Sequence, residues 1–520
     1  MVKQLMQNQV SSARNFNISN PAQPETPPDI PQPTDKAQQL ESTKYVGSTH
    51  WSALLDDIQE LKTVLNGYAE TQEAEAPCVA DTPSSELIFG SPNNYTIEQI
   101  ASQYLPPKLQ IDRFLSVYFR GEIFILPFIH TRLFQKQYQE FWVDPLNVNP
   151  IWLSTMFSIC YMGSLINGST LPQEDHASQR FKLHTAAGQC LVLGKYHRPQ
   201  PYTLEALTMY AHCKNQQSLD PSRGSGMIFG MVVRKAYEMG YHRDPDSFGI
   251  FSTFEGEMRR RFWAVCKQFD LMISFQLGLP SNITLETCDT KSPRNLLDSD
   301  FDVDTQVLPP SRSENEATRL LWFIVKDKQM VSFSKVCKDA LSFKKKSDAE
   351  IDQLDEEIRQ INSTLPEVLR THPLAESITD TPFLIMTRLY IDFIYLKSLC
   401  VLHRRYMARG SAFSTRVCID AGKKIMSQFI DMYKELAPRG KLCTERWMLN
   451  NFIMNDFLLG IMVLCLAVHI RWKRGAKNTV IDTVTENEVL YLLEQAHAIC
   501  VEESSICRDA RRSRMHCVSP

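Results

Sequence analysis

From about residue 95 almost to the C-terminus, apolar residues recur at three- and four-residue steps in long segments parted by short Pro- or Gly-marked turns. That spacing is the mark of α-helices with one buried face. It predicts helices over residues 108–119, 127–141, 150–165, 175–194, 203–216, 225–239, 253–277, 314–342, 348–362, 380–407, 414–435, 445–472 and 486–508. Alternating Val- and Thr-rich runs bounded by hairpin turns are scarce, and no internal repeat is visible. The expected fold class is all-α: a large multi-helix domain, as one body or two fused lobes. The stretch 289–313, with Pro293, Pro309 and Pro310 among several Asp residues, is the expected internal loop.

Upstream the pattern changes. Residues 1–43 place six prolines between Pro21 and Pro33 among Gln, Asn, Asp and Thr, with few large apolar residues, and read as a disordered, linker-like segment. The segment 44–68 carries a short amphipathic helix whose apolar face is Trp51, Leu54, Leu55, Ile58, Leu61 and Leu65. That stripe suits either a dimerisation helix or one that docks on its own domain; with fewer than three full heptads it does not define a coiled coil. A second linker spans 69–94, the helical domain 95–510, and a basic tail 511–520. The apolar run 457–467, bounded by Asp456 and His469, falls short of the ~20 residues a membrane span needs and reads as a core helix. No membrane association is expected.

Composition narrows the function classes. The 520 residues are 43% hydrophobic and 22% charged, ordinary for a globular protein, with a net charge of -3. Nothing in that balance suggests that the bulk of the chain grips nucleic acid. The start of the chain turns polar before an apolar signal core can form. The 14 cysteines are scattered, none in a C-x-x-C pair, and read as free thiols in a reducing compartment rather than as a disulfide framework.

The most distinctive stretch is 226–283. Its first helix carries Met227, Ile228, Met231, Val232, Ala236 and Met239 on one expected face, and Gly240 sits where a left-handed stop belongs. A polar turn, Tyr241-His242-Arg243-Asp244-Pro245, follows. Ser252-Thr253-Phe254-Glu255 has capping-box spacing. Beyond it Met258, Phe262, Cys266, Phe269 and Ile273 make an apolar stripe, Glu257 and Arg261 stand four apart, and Gly278-Leu279-Pro280 closes the segment. A buried Asp270 would need a partner, expected to be Arg or His, with His242, Arg243 and Arg260 as choices.

This segment resembles the middle homology region of fungal zinc-cluster transcription factors, whose pattern runs through a helix ending "G-hHRD", a loop, and "fE-EMRRRlWW…D…GrP". The matching residues are Ala236, Gly240, His242, Arg243, Asp244, Phe251, Ser252, Phe254, Glu257, Met258, Arg259, Arg260, Arg261, Phe262, Trp263, Asp270, Gly278 and Pro280. Ala264 and Leu279 depart from it. Further segments are similar to the family: 45–51, 104–107 with 126–130, 402–406 (Arg405 in place of a usual proline), 418–422 and 456–466.

The resemblance implies a transcription regulator with a helical regulatory domain, acting in the nucleus, commonly on a metabolic or secondary-metabolite gene cluster. It implies no catalytic residues, no cofactor and no metal within these residues. The family's six-cysteine zinc cluster, which begins with C-x-x-C, has no counterpart in this sequence, where the first cysteine is Cys78. Three expectations stay open: a genuine regulator reaching DNA through partners, a gene that has lost its first exon, or a mistaken start. Partners would be the transcription machinery or co-regulators, with homo- or heterodimerisation with zinc-cluster factors. A truncated competitor of full-length relatives is the alternative, and a biosynthetic enzyme a more distant one.

Other features carry blander expectations. Gly224-Ser225-Gly226 lacks dinucleotide-loop spacing, and no P-loop, HExxH, GxSxG or kinase set occurs. His242, Arg243 and Asp244 are expected to make structural ion pairs, and Arg259–Arg261 a solvated or ion-paired face. Lys344–Lys346 and the arginines of 508–514 read as surface charge or weak nuclear-import signals. The Met, Cys and aromatic content reads as core, with a small-molecule pocket as the alternative.

Overall fold

Helix boundaries follow local capping chemistry closely. The computed structural model describes residues 47–52, 88–89, 95–120, 126–167, 174–344, 346–474 and 483–513. The longer helices are α1 (Ile97–Tyr104), α2 (Lys108–Arg120), α3 (Thr131–Val143), α4 (Pro150–Asn167), α5 (Glu174–Leu193), α6 (Thr203–Asn215), α7 (Arg223–Glu238) and α8 (Thr253–Leu277). After a long loop come α9 (Leu321–Leu341), α10 (Asp348–Ser363), α11 (Pro382–Arg409), α12 (Ala412–Glu435), α13 (Asn451–Arg474), α14 (Thr483–Glu503) and α15 (Arg508–Ser513). Among the described residues there is no strand, and the fold is all-α.

Where the observed ends differ from the hydrophobic pattern, a polar cap is the reason. Residues 127–130 stay outside α3 because the His130 ring accepts the Leu133 amide. The helix expected from 314 begins at 321, where the Thr318 hydroxyl accepts the Leu321 amide at 3.1 Å. The one expected from 445 begins at 451 because the Asn450 side chain accepts the amides of Phe452 and Ile453. The segment expected as 486–508 breaks after 503. Asp220, far away in sequence, then takes the amides of Arg508 and Asp509, both at 3.0 Å, and restarts the chain as α15. Helix α1, absent from the pattern, is set by a Thr96–Gln99 capping box.

The described residues, all of them beyond Tyr45, pack as one compact unit. Within it, α4 lies against α2, α5 and α6, and α6 against α7. On the other side α11 packs on α9, α12 and α13, and α12 on α14. Helix α8 joins the two groups, touching α7, α9 and α13. The helices most deeply inside, α4 and α13, are apolar all round rather than amphipathic, as burial on every face requires. The Asn451–Arg471 stretch is the one described segment long and apolar enough to cross a membrane, yet most of it is buried within the protein. The apolar run 457–467 is thus the middle of a core helix.

Three polar contacts lock α13 in place. The Asn451 side-chain Nδ2 donates to the Asn215 backbone carbonyl at 2.9 Å, and the Gln276 side chain of α8 donates to the Asn451 backbone carbonyl at 2.9 Å. Lys397 of α11 is wholly buried and holds Asp456 of α13 at 2.9 Å. The described cysteines are all free thiols, most of them buried.

Candidate functional site

The distinctive segment starts where α7 ends. Met227, expected on the buried face of α7, is 60% exposed, while Ile228, Val232, Val233 and Ala236 are buried: the helix is rotated toward Val233. Gly240 takes φ +72°, and the Tyr241 amide closes back onto the Ala236 carbonyl at 2.9 Å, the expected left-handed stop. The chain then turns through His242, Arg243 and Asp244 into a short 3-10 turn, Pro245–Ser247. Helix α8 begins with the expected capping box between Ser252 and Glu255.

Asp244 is the hub of this turn. Its two oxygens take Arg260 Nε at 3.0 Å and Nη2 at 2.7 Å, a bidentate pair, and one also takes the Lys291 amide at 2.9 Å. Burial alone would raise the Asp244 carboxyl, but the Arg260 and backbone hydrogen bonds outweigh it and hold the group far below the usual carboxylate range. Arg243 pairs with Asp289 at 3.0 Å on the surface. The Asp289 amide donates to the His242 carbonyl, and its carboxylate accepts the Asp244 amide. Helix α8, the turn at 240–245 and the loop at 289–291 are thereby tied into one knot.

The three consecutive arginines do three different things, and none is a solvated face. Arg260 holds the turn. Arg261 is 1% exposed and reaches the long loop, donating to Asp298 at 2.6 Å and to the Leu296 carbonyl at 2.9 Å. It also sits 3.5 Å from Glu257, so the expected four-apart pair exists but is buried rather than exposed. Burial raises the Glu257 carboxyl even with Arg261 beside it. Arg259 lies flat between Tyr241 and Phe251, 3.8 and 4.1 Å from the ring centres, and donates to the Met239 carbonyl. An i, i+1, i+2 run on a helix points in three directions 100° apart, which is why contiguous charge here does not make a patch.

The His242 ring rests near Tyr237 and Trp263, with burial and Arg243 holding it below the usual imidazole range. Trp263 is 1% exposed and is a core residue. Asp270 corrects the expectation of a charged partner. Its carboxylate accepts Ser281 Oγ at 2.5 Å, Asn282 Nδ2 at 2.7 Å and the Ile283 amide at 3.0 Å, all from the loop that follows α8. Burial raises the Asp270 carboxyl, and these neutral donors offset part of that rise. The sequence carried no charge signal for this arrangement.

Gly278 ends α8 at φ +69°, and exposed Pro280 follows. Against Gly278 lies Gly47, with Ser48 donating to the Ala340 carbonyl. Trp51 is 2% exposed, and its indole N–H reaches Asp509 at 3.2 Å. Burial, then Arg404 and Arg512, push the neighbouring His50 down to about 4. The first residue of the expected dimerisation stripe is thus taken up by its own domain. Leu54, Ile58, Leu61 and Leu65 lie outside the described residues, as do residues 1–43 and 514–520.

Beside Arg259 opens a cavity of about 310 Å³. Phe128, Phe134, Trp152, Tyr202, Phe251 and Phe254 contribute aromatic walls, and Gln137, Glu205, Glu255 and Arg259 contribute polar groups. Neither Glu205, in the first turn of α6, nor the walls from α3 and α4 stood out in the sequence, because they come together only through helix packing. His130, also in the lining, is held below its ordinary value, chiefly by burial.

Arg259, Arg260, Arg261 and Asp244 form this constellation inside the stretch 115–370, which matches the family described as "Fungal specific transcription factor domain". The chain is 32% identical over 495 residues to "Zn(2)-C6 fungal-type transcription factor pigI" of Monascus ruber, covering 92% of this chain and 60% of that protein. It is 32% identical over 489 residues to "Equisetin cluster transcription factor eqxF" of Fusarium heterosporum, covering 90% and 69%. To "Pyrrolocin cluster transcription factor fsdR" of Fungal sp. (strain NRRL 50135) it is 32% identical over 527 residues, covering 94% and 67%. No solved structure matches. The chain belongs to the fungal zinc-cluster transcription factor family, through its fungal-specific transcription factor domain. These relatives are named as transcription factors, not enzymes, and the chain spans under two thirds of the Monascus protein's length.

Proposed function

We propose that this chain regulates transcription in the nucleus, acting on the genes of a secondary-metabolite cluster through its helical domain. The similarity to cluster-named transcription factors across nine-tenths of the chain carries the reading. The intact knot of Asp244, Arg260, Arg261 and Asp298 supports it, since it gives α8 a fixed place between the two helix groups. The signature residues His242, Arg243, Asp244, Glu257, Arg259, Arg260, Trp263, Asp270, Gly278 and Pro280 serve as the structural frame of that domain. The surfaces it presents would meet co-regulators or the transcription machinery. The Leu54–Leu65 stripe is the proposed pairing helix, with Trp51 anchoring it to the domain at one end. Fusion of the 520-residue chain to a heterologous DNA-binding module, read on a reporter carrying that module's site, tests this. A reporter shifted up or down relative to the module alone is expected. An unchanged reporter with the fusion present in the nucleus at equal level would overturn it.

A further inference from the structure

The cavity beside Arg259 has the chemistry of a binding site rather than of a packing defect. Ordinary packing defects are apolar and small, whereas this space of about 310 Å³ reaches the size range of small-molecule sites and mixes aromatic walls with convergent polar groups. Three charged side chains line it: Glu205, Glu255 and Arg259. Their commitments differ. Glu255 already accepts the Ser252 amide and hydroxyl, both at 2.9 Å, as part of the α8 cap. Arg259 is sandwiched between two rings and donates to Met239. Among the described residues, Glu205 has its own backbone amide as a hydrogen-bond donor and Arg259 as a more distant counter-charge. Glu205 and Glu255 thus face the single guanidinium of Arg259 across the lining, and burial raises the Glu205 carboxyl, which an incoming ammonium would bring back down.

We propose that this cavity is an effector site for a lipophilic amine: an aromatic or alkyl body fills the space among Phe134, Trp152, Tyr202 and Phe254, and the ammonium group meets Glu205. The aromatic faces favour a cation held near them, and the carboxylate fixes where it sits. The site is built from α3, α4, α6 and the first two turns of α8, so an occupant bridges the helix that joins the two halves of the domain to three helices of the N-terminal half. This goes beyond transcriptional regulation, and it stands on the cavity alone.

The experiment is calorimetric titration of the purified 520-residue chain with phenylbutylamine, and with phenylbutanol and phenylbutanoate as isosteric controls. Saturable one-site binding of the amine is expected, with the alcohol weaker and the acid at least tenfold weaker. Glu205→Gln should weaken the amine at least tenfold and leave the alcohol nearly unchanged. Met258→Trp, which fills the cavity from α8, should abolish binding of all three while circular dichroism and Tm report a folded chain. Absence of saturation by the amine up to millimolar concentration would overturn the proposal. So would binding that Glu205→Gln and Met258→Trp leave intact, or a preference for the acid. Because the readout is binding to the isolated chain, its failure is distinct from a failure of the tethered reporter.

Discussion

Gly47 and Gly278 pack backbone against backbone: a Cβ on Gly47 would lie 2.0 Å from the Gly278 carbonyl oxygen, and one on Gly278 would lie 2.7 Å from the Gly47 nitrogen. No side chain fits at either position. The contact fastens the segment 47–52 to the end of α8. Gly47→Val should therefore cost roughly 1–3 kcal/mol of local docking, the usual penalty of overpacking. Hydrogen exchange is the measurement: residues 47–52 should exchange faster while the amides of α8 keep their protection. Unchanged exchange of the segment would mean that the glycine contact does not hold it.

The Asp244–Arg260 pair should show strong coupling. The single variants Asp244→Asn and Arg260→Gln each break a bidentate contact at 2.7–3.0 Å. A double-mutant cycle in urea should give a coupling energy in the range of about 0.5–3 kcal/mol. The pH dependence has a definite sign. The folded Asp244 carboxyl is held below its unfolded value of about 3.9, so its stabilising contribution is complete above that value and fades as pH falls toward the folded one. The stability gap between wild type and Asp244→Asn should be flat from about pH 5 to 8 and narrow below about pH 4. A gap that widens on acidification would contradict this assignment.

Arg261 is the costliest of the three arginines to remove. Arg261→Met leaves Glu257 and Asp298 facing a neutral side chain in a buried site, a loss of about 3–5 kcal/mol by analogy with broken buried pairs. Arg261→Lys should fall between, because one ammonium cannot reach Asp298 and the Leu296 carbonyl in the same fork geometry. Urea unfolding curves rank the three proteins. Equal stability of the Met and Lys variants would show that the fork is not what matters.

The buried Lys397–Asp456 pair should be replaceable but not divisible. Lys397→Met alone strands a carboxylate in the core beside α13, and Asp456→Leu alone strands an ammonium; each should cost about 3–5 kcal/mol. The double variant should recover most of that loss, since two apolar groups fill the space without desolvated charge. Thermal unfolding of the four proteins decides it. A double variant as unstable as the sum of the singles would show that the pair has a role beyond mutual neutralisation.

Much of the fold was legible because its helices announce themselves through caps. The Ser252–Glu255 box, the Gly240 stop and the Gly278 stop fall where local sequence places them. What was not legible depends on distant chain. Asp270 is satisfied by an uncharged loop, so a search for opposite charge looks in the wrong place. Arg259 spends its charge on two rings and a carbonyl, which no spacing rule marks. Asp220 restarts a helix almost 290 residues later. Glu205 gains its setting only when α3, α4, α6 and α8 converge. The Met227 error has a simpler source: a helix with apolar residues on more than one side does not declare which side is buried.

Transcript profiling of a deletion strain beside a strain overproducing the 520-residue chain is the most direct test of the proposal that this chain sets the expression of a metabolite gene cluster. Opposite, several-fold changes in the transcripts of one contiguous set of biosynthetic genes are expected, with Arg261→Met protein failing to restore the deletion. Transcripts of every such cluster unchanged in both strains, with the overproduced chain folded and nuclear, would contradict it.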